Sequence, residues 1–113
     1  MATVRRYCGN NILEINGNVI RDYCGPNLYE VNGNTVRRYC GSNLYEINGD
    51  VVRDYCGSNI LEFNGNLVRR YCGSYICEIN GDTIRDYCGS NAYQIDGFID
   101  RKMLMTLITI LYA

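Results

Sequence analysis

The chain has 113 residues, of which 47% are hydrophobic and 20% charged, a composition typical of one soluble globular domain. It contains no histidine, which excludes imidazole catalysis and histidine-containing metal sites. Eleven basic residues nearly balance twelve acidic ones, so we expect no binding of nucleic acid through phosphate contacts.

A 16-residue repeat runs through most of the chain. Glycines recur every eight residues from Gly9 to Gly97, and each glycine marks a turn. The segments between turns have four or five residues, rich in β-branched and aromatic types, and are too short for helices. The pattern predicts twelve strands over residues 4–96, within a single repeat domain spanning residues 1–113. One Tyr-Cys-Gly turn recurs in each repeat, at Tyr7, Tyr23, Tyr39, Tyr55, Tyr71 and Tyr87.

Two kinds of tight turn join the predicted strands. One contains Asn-Gly or Asp-Gly, the strongest short-range hairpin signal, and the other reads Cys-Gly-Ser-Asn in its commonest form. Parallel neighbours would need crossovers of about a dozen residues, so we predict an antiparallel meander. With equal loops, Glu46 faces Arg53 across one turn and Arg53 faces Glu62 across the next. Each arginine of this column would then lie between two glutamates.

The repeated arginines are the candidate binding residues. They are Arg5, Arg21, Arg37, Arg53, Arg69 and Arg85, and the interleaved glutamates are Glu14, Glu30, Glu46, Glu62 and Glu78. Opposite charges on adjacent strands form cross-strand pairs. Repeated pairs of this kind are typical of a solvated salt-bridge ladder, and they give little support to catalysis.

A parallel β-solenoid with one 16-residue coil per turn is the main architectural alternative. It would stack equivalent residues about 4.8 Å apart and place like charges directly opposite each other. The antiparallel meander avoids this conflict and is therefore our prediction.

The residue after each repeated arginine alternates in charge. These residues are Arg6, Asp22, Arg38, Asp54, Arg70 and Asp86. An alternating ring closes without like neighbours only if it has an even number of members, and an open sheet would expose two edges. We therefore predict a mainly β fold, a closed antiparallel 12-stranded barrel of six hairpins. Duplication of a 32-residue ancestor would give the same alternation without electrostatic meaning.

The C-terminal segment departs from the repeat. Asp100 is a good N-cap, and residues 101–111 are apolar nearly all round, which is typical of a buried helix. Because twelve strands enclose more space than their own side chains fill, we predict a central helix over about residues 100–112. A thirteenth strand or an exposed tail is the alternative. The helix residues predicted to form the core are Leu104, Leu107, Ile108 and Ile110.

Alternation along the strands also predicts which side chains point inward. Columns such as those of Ile47 and Val52 should line the barrel, together with the repeated cysteines.

Hairpins of the form Leu-Tyr-Glu-Ile-Asn-Gly-Asp-Val-Val-Arg-Asp-Tyr-Cys-Gly (residues 44–57), repeated around a ring with a hydrophobic helix, resemble the bacterial β-flower proteins. Those proteins are similar in turn to the tubby and phospholipid-scramblase barrels. The resemblance covers nearly all of residues 4–112 and implies twelve strands about a central helix, with no established activity. Tubby-like relatives imply association with phosphoinositides through basic residues. This chain differs, since Lys102 is its single lysine and its arginines are matched by acids.

The repeated cysteines lack the close pairs of metal sites, so we expect free thiols, no metal and no cofactor. The sequence favours a non-enzymatic binding or scaffold module whose partner is a protein or a membrane surface. The alternative is a small-ligand carrier or enzyme that uses an apolar cavity at one mouth of the barrel. We expect a monomer, located in the cytoplasm or peripheral to a membrane.

Overall fold

A computed structural model describes residues 2–112. The strands follow one another around a closed antiparallel barrel, and the first strand pairs with the last. The predicted fold class is confirmed, and the solenoid alternative is wrong. The strands are β1 (Ala2–Arg6), β2 (Asn11–Asn16), β3 (Val19–Asp22), β4 (Asn27–Asn32), β5 (Thr35–Arg38), β6 (Asn43–Asn48), β7 (Val51–Asp54), β8 (Asn59–Asn64), β9 (Leu67–Arg70), β10 (Tyr75–Asn80), β11 (Thr83–Asp86) and β12 (Asn91–Asp96), and the helix is α1 (Arg101–Tyr112).

The barrel has two rims, each built from one kind of turn. The glycine rim contains the turns that begin at Gly17, Gly33, Gly49, Gly65 and Gly81, and the cysteine rim contains the turns of Cys8, Cys24, Cys40, Cys56, Cys72 and Cys88. The chain leaves β12 at the glycine rim, through Gly97 and Phe98, and enters α1 there. The hydroxyl of Tyr112 contacts Asp86 beside the cysteine rim, so α1 runs through the barrel from one rim to the other.

The predicted inward face is confirmed for the strand residues. Alternate strand residues are buried because the pleat sends every second side chain to the same face. They are Val4, Ile15, Ile20, Val31, Val36, Ile47, Val52, Phe63, Val68, Ile79, Ile84 and Ile95. The repeated cysteines do not join them. The strands that precede them end two residues earlier, so the six cysteines of the cysteine rim are exposed in the turns.

The register across the glycine rim is the predicted one, but the register across the cysteine rim is not. Glu46 faces Arg53 as expected, whereas Arg53 faces Asn59 and not Glu62. The cause is a β-bulge: Arg53 pairs with Asn59 and Val52 pairs with Leu61, so Ile60 has no partner on β7. The same shift recurs in the other hairpins of this rim, so an arginine lies beside one glutamate and not between two.

Helix α1 begins where the sequence predicts. The carboxylate of Asp100 accepts a hydrogen bond from the backbone N–H of Met103 at 2.9 Å, which caps the first turn. Leu107 and Ile108 are fully buried, while Leu104 and Ile110 are half-buried against the core. Two buried threonines also belong to α1, and their hydroxyls donate to backbone carbonyls one turn earlier, so each satisfies its polar group within the helix.

Candidate functional site

The repeated arginines form a girdle around the outside of the barrel, and the structure does not bring them together at one place. Five of them donate to the glutamate of the same hairpin, as Arg53 Nε does to Glu46 Oε1 at 2.7 Å. Their side chains are 35–41% exposed. Because each of these positive charges faces a carboxylate at hydrogen-bond distance, the girdle offers a partner little unmatched charge.

Arg5 differs from the other arginines because it lies at the seam where β1 meets β12. Its Nη2 donates to the neutral Gln94 side chain at 2.7 Å, and its Nε lies 3.6 Å from an Asp96 carboxylate oxygen. That Nε is buried without a hydrogen-bond partner. The seam therefore replaces the repeated arginine-glutamate pair with a weaker set of contacts.

Each turn of the cysteine rim holds a cysteine in the left-handed backbone region. In the turn after β7, Gly57 N–H donates to Asp54 C=O at 2.9 Å, and Cys56 has a φ of 56°. The other five rim cysteines have φ values of 55–57°. This conformation is unfavourable for residues other than glycine, asparagine and aspartate, and a strained backbone that recurs in all six repeats points to this rim as a candidate functional surface.

The tyrosines beside these cysteines form a uniform exposed ring. Their exposed fractions lie between 42% and 45%, at Tyr7, Tyr23, Tyr39, Tyr55, Tyr71 and Tyr87. The backbone N–H of each tyrosine donates to a carbonyl of the adjacent strand, as that of Tyr55 does to Leu44 of β6 at 3.0 Å. Tyr87 also packs on Tyr75, with ring centroids 4.9 Å apart. The tyrosines are thus exposed side chains on an ordered backbone.

Six charged residues form a ring at the mouth of the cysteine rim, here called the mouth ring, at the last positions of the strands that enter its turns. They are Arg6, Asp22, Arg38, Asp54, Arg70 and Asp86. All six residues are exposed, and within residues 2–112 no ion pair joins two of them. Two members have other contacts. The guanidinium of Arg6 lies 5.9 Å from the Tyr93 ring centroid, and Asp86 accepts a hydrogen bond from the Tyr112 hydroxyl at 3.3 Å.

The end of α1 closes the barrel beneath this charged ring. Burial raises the pKa of the Tyr112 hydroxyl, and the neighbouring Cys77 and Asp86 raise it further. Tyr112 therefore keeps its proton and remains a hydrogen-bond donor to Asp86 at neutral pH. Its ring also meets that of Tyr93 edge to face, with centroids 6.0 Å apart.

All seven cysteines are free, and they fall into two environments. Six are exposed on the cysteine rim, whereas Cys77 is buried in the barrel. Burial, with a smaller contribution from Asp86, raises the pKa of the Cys77 thiol from 9.0 to about 12. Over the described part of the chain, no three cysteine or acidic side chains are grouped as metal ligands would be.

The glycine rim carries clefts beside the first turns of α1. Three of them have volumes of about 260, 180 and 200 Å³, and all three are open to solvent. The first lies between the helix and the β1–β2 edge, lined by Ala2, Ile15, Asp100 and Met103 among others. All three are smaller than the ~300–1,000 Å³ typical of small-molecule sites.

The sequence identifies the charged ring and names the girdle arginines as candidate binding residues. The structure shows that five of these arginines are paired with glutamates of their own hairpins. The rim tyrosines served only as markers of the repeat. A signal for them was present, since a large aromatic residue beside Cys-Gly in a turn lies outside the inward-facing alternation and must be exposed.

No helix among residues 2–112 is long and apolar enough to cross a bilayer. Comparison of the chain with protein-family models, with curated proteins and with solved structures gives no significant match.

Proposed function

We propose that this chain is a non-enzymatic protein-binding module of the β-flower type and that the cysteine rim is its contact surface. The observation that carries the proposal is the ring of six tyrosines, each 42–45% exposed on an ordered turn. Tyrosine is enriched in protein interfaces because it offers a large contact area and loses little conformational entropy on binding. Six copies on one rim supply such an area around the whole mouth.

The charges of the two surfaces support the rim over the girdle. Five girdle arginines are already paired with glutamates of their own hairpins. The mouth ring has three arginines and three aspartates with no ion pair between them in the described structure, so its charges are available to a partner. Arginine and tyrosine side by side are typical of the residues that dominate binding energy at interfaces.

The same charges favour a protein over a lipid surface as the partner. Binding to anionic membranes usually depends on clusters of four to eight basic residues. The mouth ring is neutral overall, and the chain has a net charge of −1. The free thiols support a reducing, cytoplasmic location. The open clefts of the glycine rim give less support to a ligand carrier.

The test is affinity capture followed by a direct binding measurement with each purified candidate partner. The rim variant replaces the six rim tyrosines with serine, and the matched control carries Asn34→Ser, Asp50→Ser, Asn66→Ser and Asp82→Ser on the glycine rim. We expect the rim variant to bind the partner at least about tenfold more weakly, because a single central tyrosine can contribute ~2 kcal/mol or more. A partner retained by the rim variant but lost by the control would overturn the proposal.

A further inference from the structure

We propose that the partner of the cysteine rim is the cysteine rim of a second copy of this chain, in a twofold-symmetric dimer whose register is set by the mouth ring. The inference rests on the proposed function, since it names the partner of the same surface. It differs from the monomer that the sequence analysis predicts.

The order of the charges around the closed barrel makes the ring complementary to itself. The six members lie on β1, β3, β5, β7, β9 and β11, and because β1 pairs with β12, Asp86 is followed by Arg6. The charges therefore alternate around the whole circle without a repeat of sign. Successive members are separated by one strand of the same barrel, so they are spaced at nearly equal angles.

Two such rings can face each other through a twofold axis that lies in the plane between them. If the axis passes midway between Arg6 and Asp22, each arginine lies over an aspartate of the other copy at all six positions. If the axis passes through a member, all six positions bring like charges together. Attraction between opposite charges thus favours the first register at all six positions, and repulsion between like charges disfavours the second at all six. Charge patterns of this kind fix the register of an interface between identical subunits.

The ring is also available for such contacts. All six side chains are exposed, and none forms an ion pair with another within residues 2–112. The girdle outside the barrel shows that arginines and acids of this chain do pair when the register allows it. The surrounding tyrosines would supply the apolar area that exposed ion pairs alone do not.

The experiment separates the two signs of charge onto two variants. D22R/D54R/D86R has six arginines in the ring, and R6D/R38D/R70D has six aspartates. Sedimentation at low salt is expected to show a dimer for the parent chain, a monomer for each variant alone and a heterodimer for their equimolar mixture. Raising the salt should weaken the parent dimer by about tenfold or more, because screening acts on exposed charges.

Three further checks guard against misfolded variants and effects of net charge. Circular dichroism must show the parent spectrum, and the milder D22N/D54N/D86N variant should already weaken dimerisation. The control N34K/N66K/D82K adds positive charge at the glycine rim and should dimerise like the parent. Loss of dimer in this control would indicate general repulsion and overturn the assignment to the mouth ring.

A parent chain that stays monomeric at millimolar concentration would overturn this proposal, even if the rim captures another protein and the proposed function stands. A dimer that persists in both charge variants would place the interface elsewhere and overturn it as well. Dimerisation retained by the variant with all six rim tyrosines replaced by serine would contradict the role given to the tyrosines, both in the proposed function and in this dimer.

Discussion

The two rims of the barrel place an unfavourable backbone conformation on different residues. At the glycine rim the residue with positive φ is a glycine, such as Gly49 at 64°, and a Cβ there would meet no atom within 4 Å. At the cysteine rim it is a cysteine, and the glycine that follows has another purpose. A Cβ on Gly57 would lie 3.0 Å from the Cβ of Asp54. The glycines recur every eight residues, but the two rims need them for different reasons. The glycine rim needs glycine for a positive φ, and the cysteine rim needs it to leave space for the Cβ of the residue three positions earlier.

The rims also differ in how α1 meets them. At the glycine rim the helix begins beside open clefts, and Arg101 lies 4.0 Å from Asp50 and over the Phe63 ring. At the cysteine rim the helix ends on Asp86 and next to the buried Cys77. The helix is therefore the element that both rims share, and its loss should have the largest effect on the molecule.

A chain ending at Gly97 is expected to be unfolded or aggregated, because it loses the side chains that fill the barrel. The single substitution Leu107→Ala should already cost ~2–5 kcal/mol, since Leu107 is fully buried. Urea unfolding measures the stability of the truncated chain and of Leu107→Ala. The control is Lys102→Ala, an exposed position of the same helix, which should change stability by less than about 0.5 kcal/mol. A truncated chain that melts cooperatively as a monomer would show that α1 is dispensable for the barrel.

The second prediction concerns alkaline pH and separates the buried thiol from the rim thiols. Because the pKa of Cys77 is raised from 9.0 to about 12, the unfolded chain loses this proton first as the pH rises. Its stabilising contribution is complete below pH 9.0 and falls by about 1.4 kcal/mol per pH unit between pH 9.0 and about 12. Denaturation of the parent and Cys77→Val at several pH values, in reductant, measures the difference.

Cys8→Ser is the control for this experiment, since Cys8 is exposed. If the difference between Cys8→Ser and the parent followed the same pH curve, the effect would belong to thiols in general and not to the burial of Cys77. If the difference between the parent and Cys77→Val were constant from pH 7 to pH 11, Cys77 would titrate alike in the folded and unfolded chain, and its buried environment would be wrong.

The fold was largely predictable because one repeated unit carries every signal at once. The alternation of apolar residues along the strands predicted that Ile47 and Val52 point inward, and both are buried. Asp100 marked the start of α1, which it caps. The register across the cysteine rim was not predictable, because a single bulged residue such as Ile60 moves the pairing by one position without changing the composition of the strand. Hydrophobic periodicity alone does not reveal which residue is skipped.

The candidate site was less predictable for a related reason. The repeated arginines look available in the sequence, and only the cross-strand geometry shows that Arg53 is occupied by Glu46. The left-handed conformation of Cys56 is also hidden, since the neighbouring Gly57 is the residue that a sequence argument assigns to positive φ. Both features depend on contacts across the turn.

The third prediction tests the two reasons for glycine. Gly49→Ala should cost about 1 kcal/mol through its backbone conformation alone. Gly57→Ala should cost ~1–3 kcal/mol, because the new methyl group crowds the Cβ of Asp54. In a double-mutant cycle measured by urea unfolding, Asp54→Gly should recover most of the Gly57→Ala cost. It should leave the Gly49→Ala cost unchanged, because that residue lies at the opposite rim. Equal behaviour of the two glycines would contradict the distinction between the rims.

The smallest expected effect is a gain at the cysteine rim. Asparagine tolerates the left-handed region better than cysteine does, so Cys56→Asn should stabilise the barrel by ~0.5 kcal/mol. Cys56→Ser controls for loss of the thiol and should give less, and the β-branched Cys56→Val should be destabilising because it suits a positive φ least. Equivalent turns lie two strands apart, a spacing of about 9.6 Å. Replacing all six cysteines with asparagine should therefore add to ~3 kcal/mol, visible as a higher Tm. If Cys56→Asn and Cys56→Ser were equally stable, the backbone at this position would carry no strain. Duplication of one repeat would then be enough to explain the six cysteines of the cysteine rim.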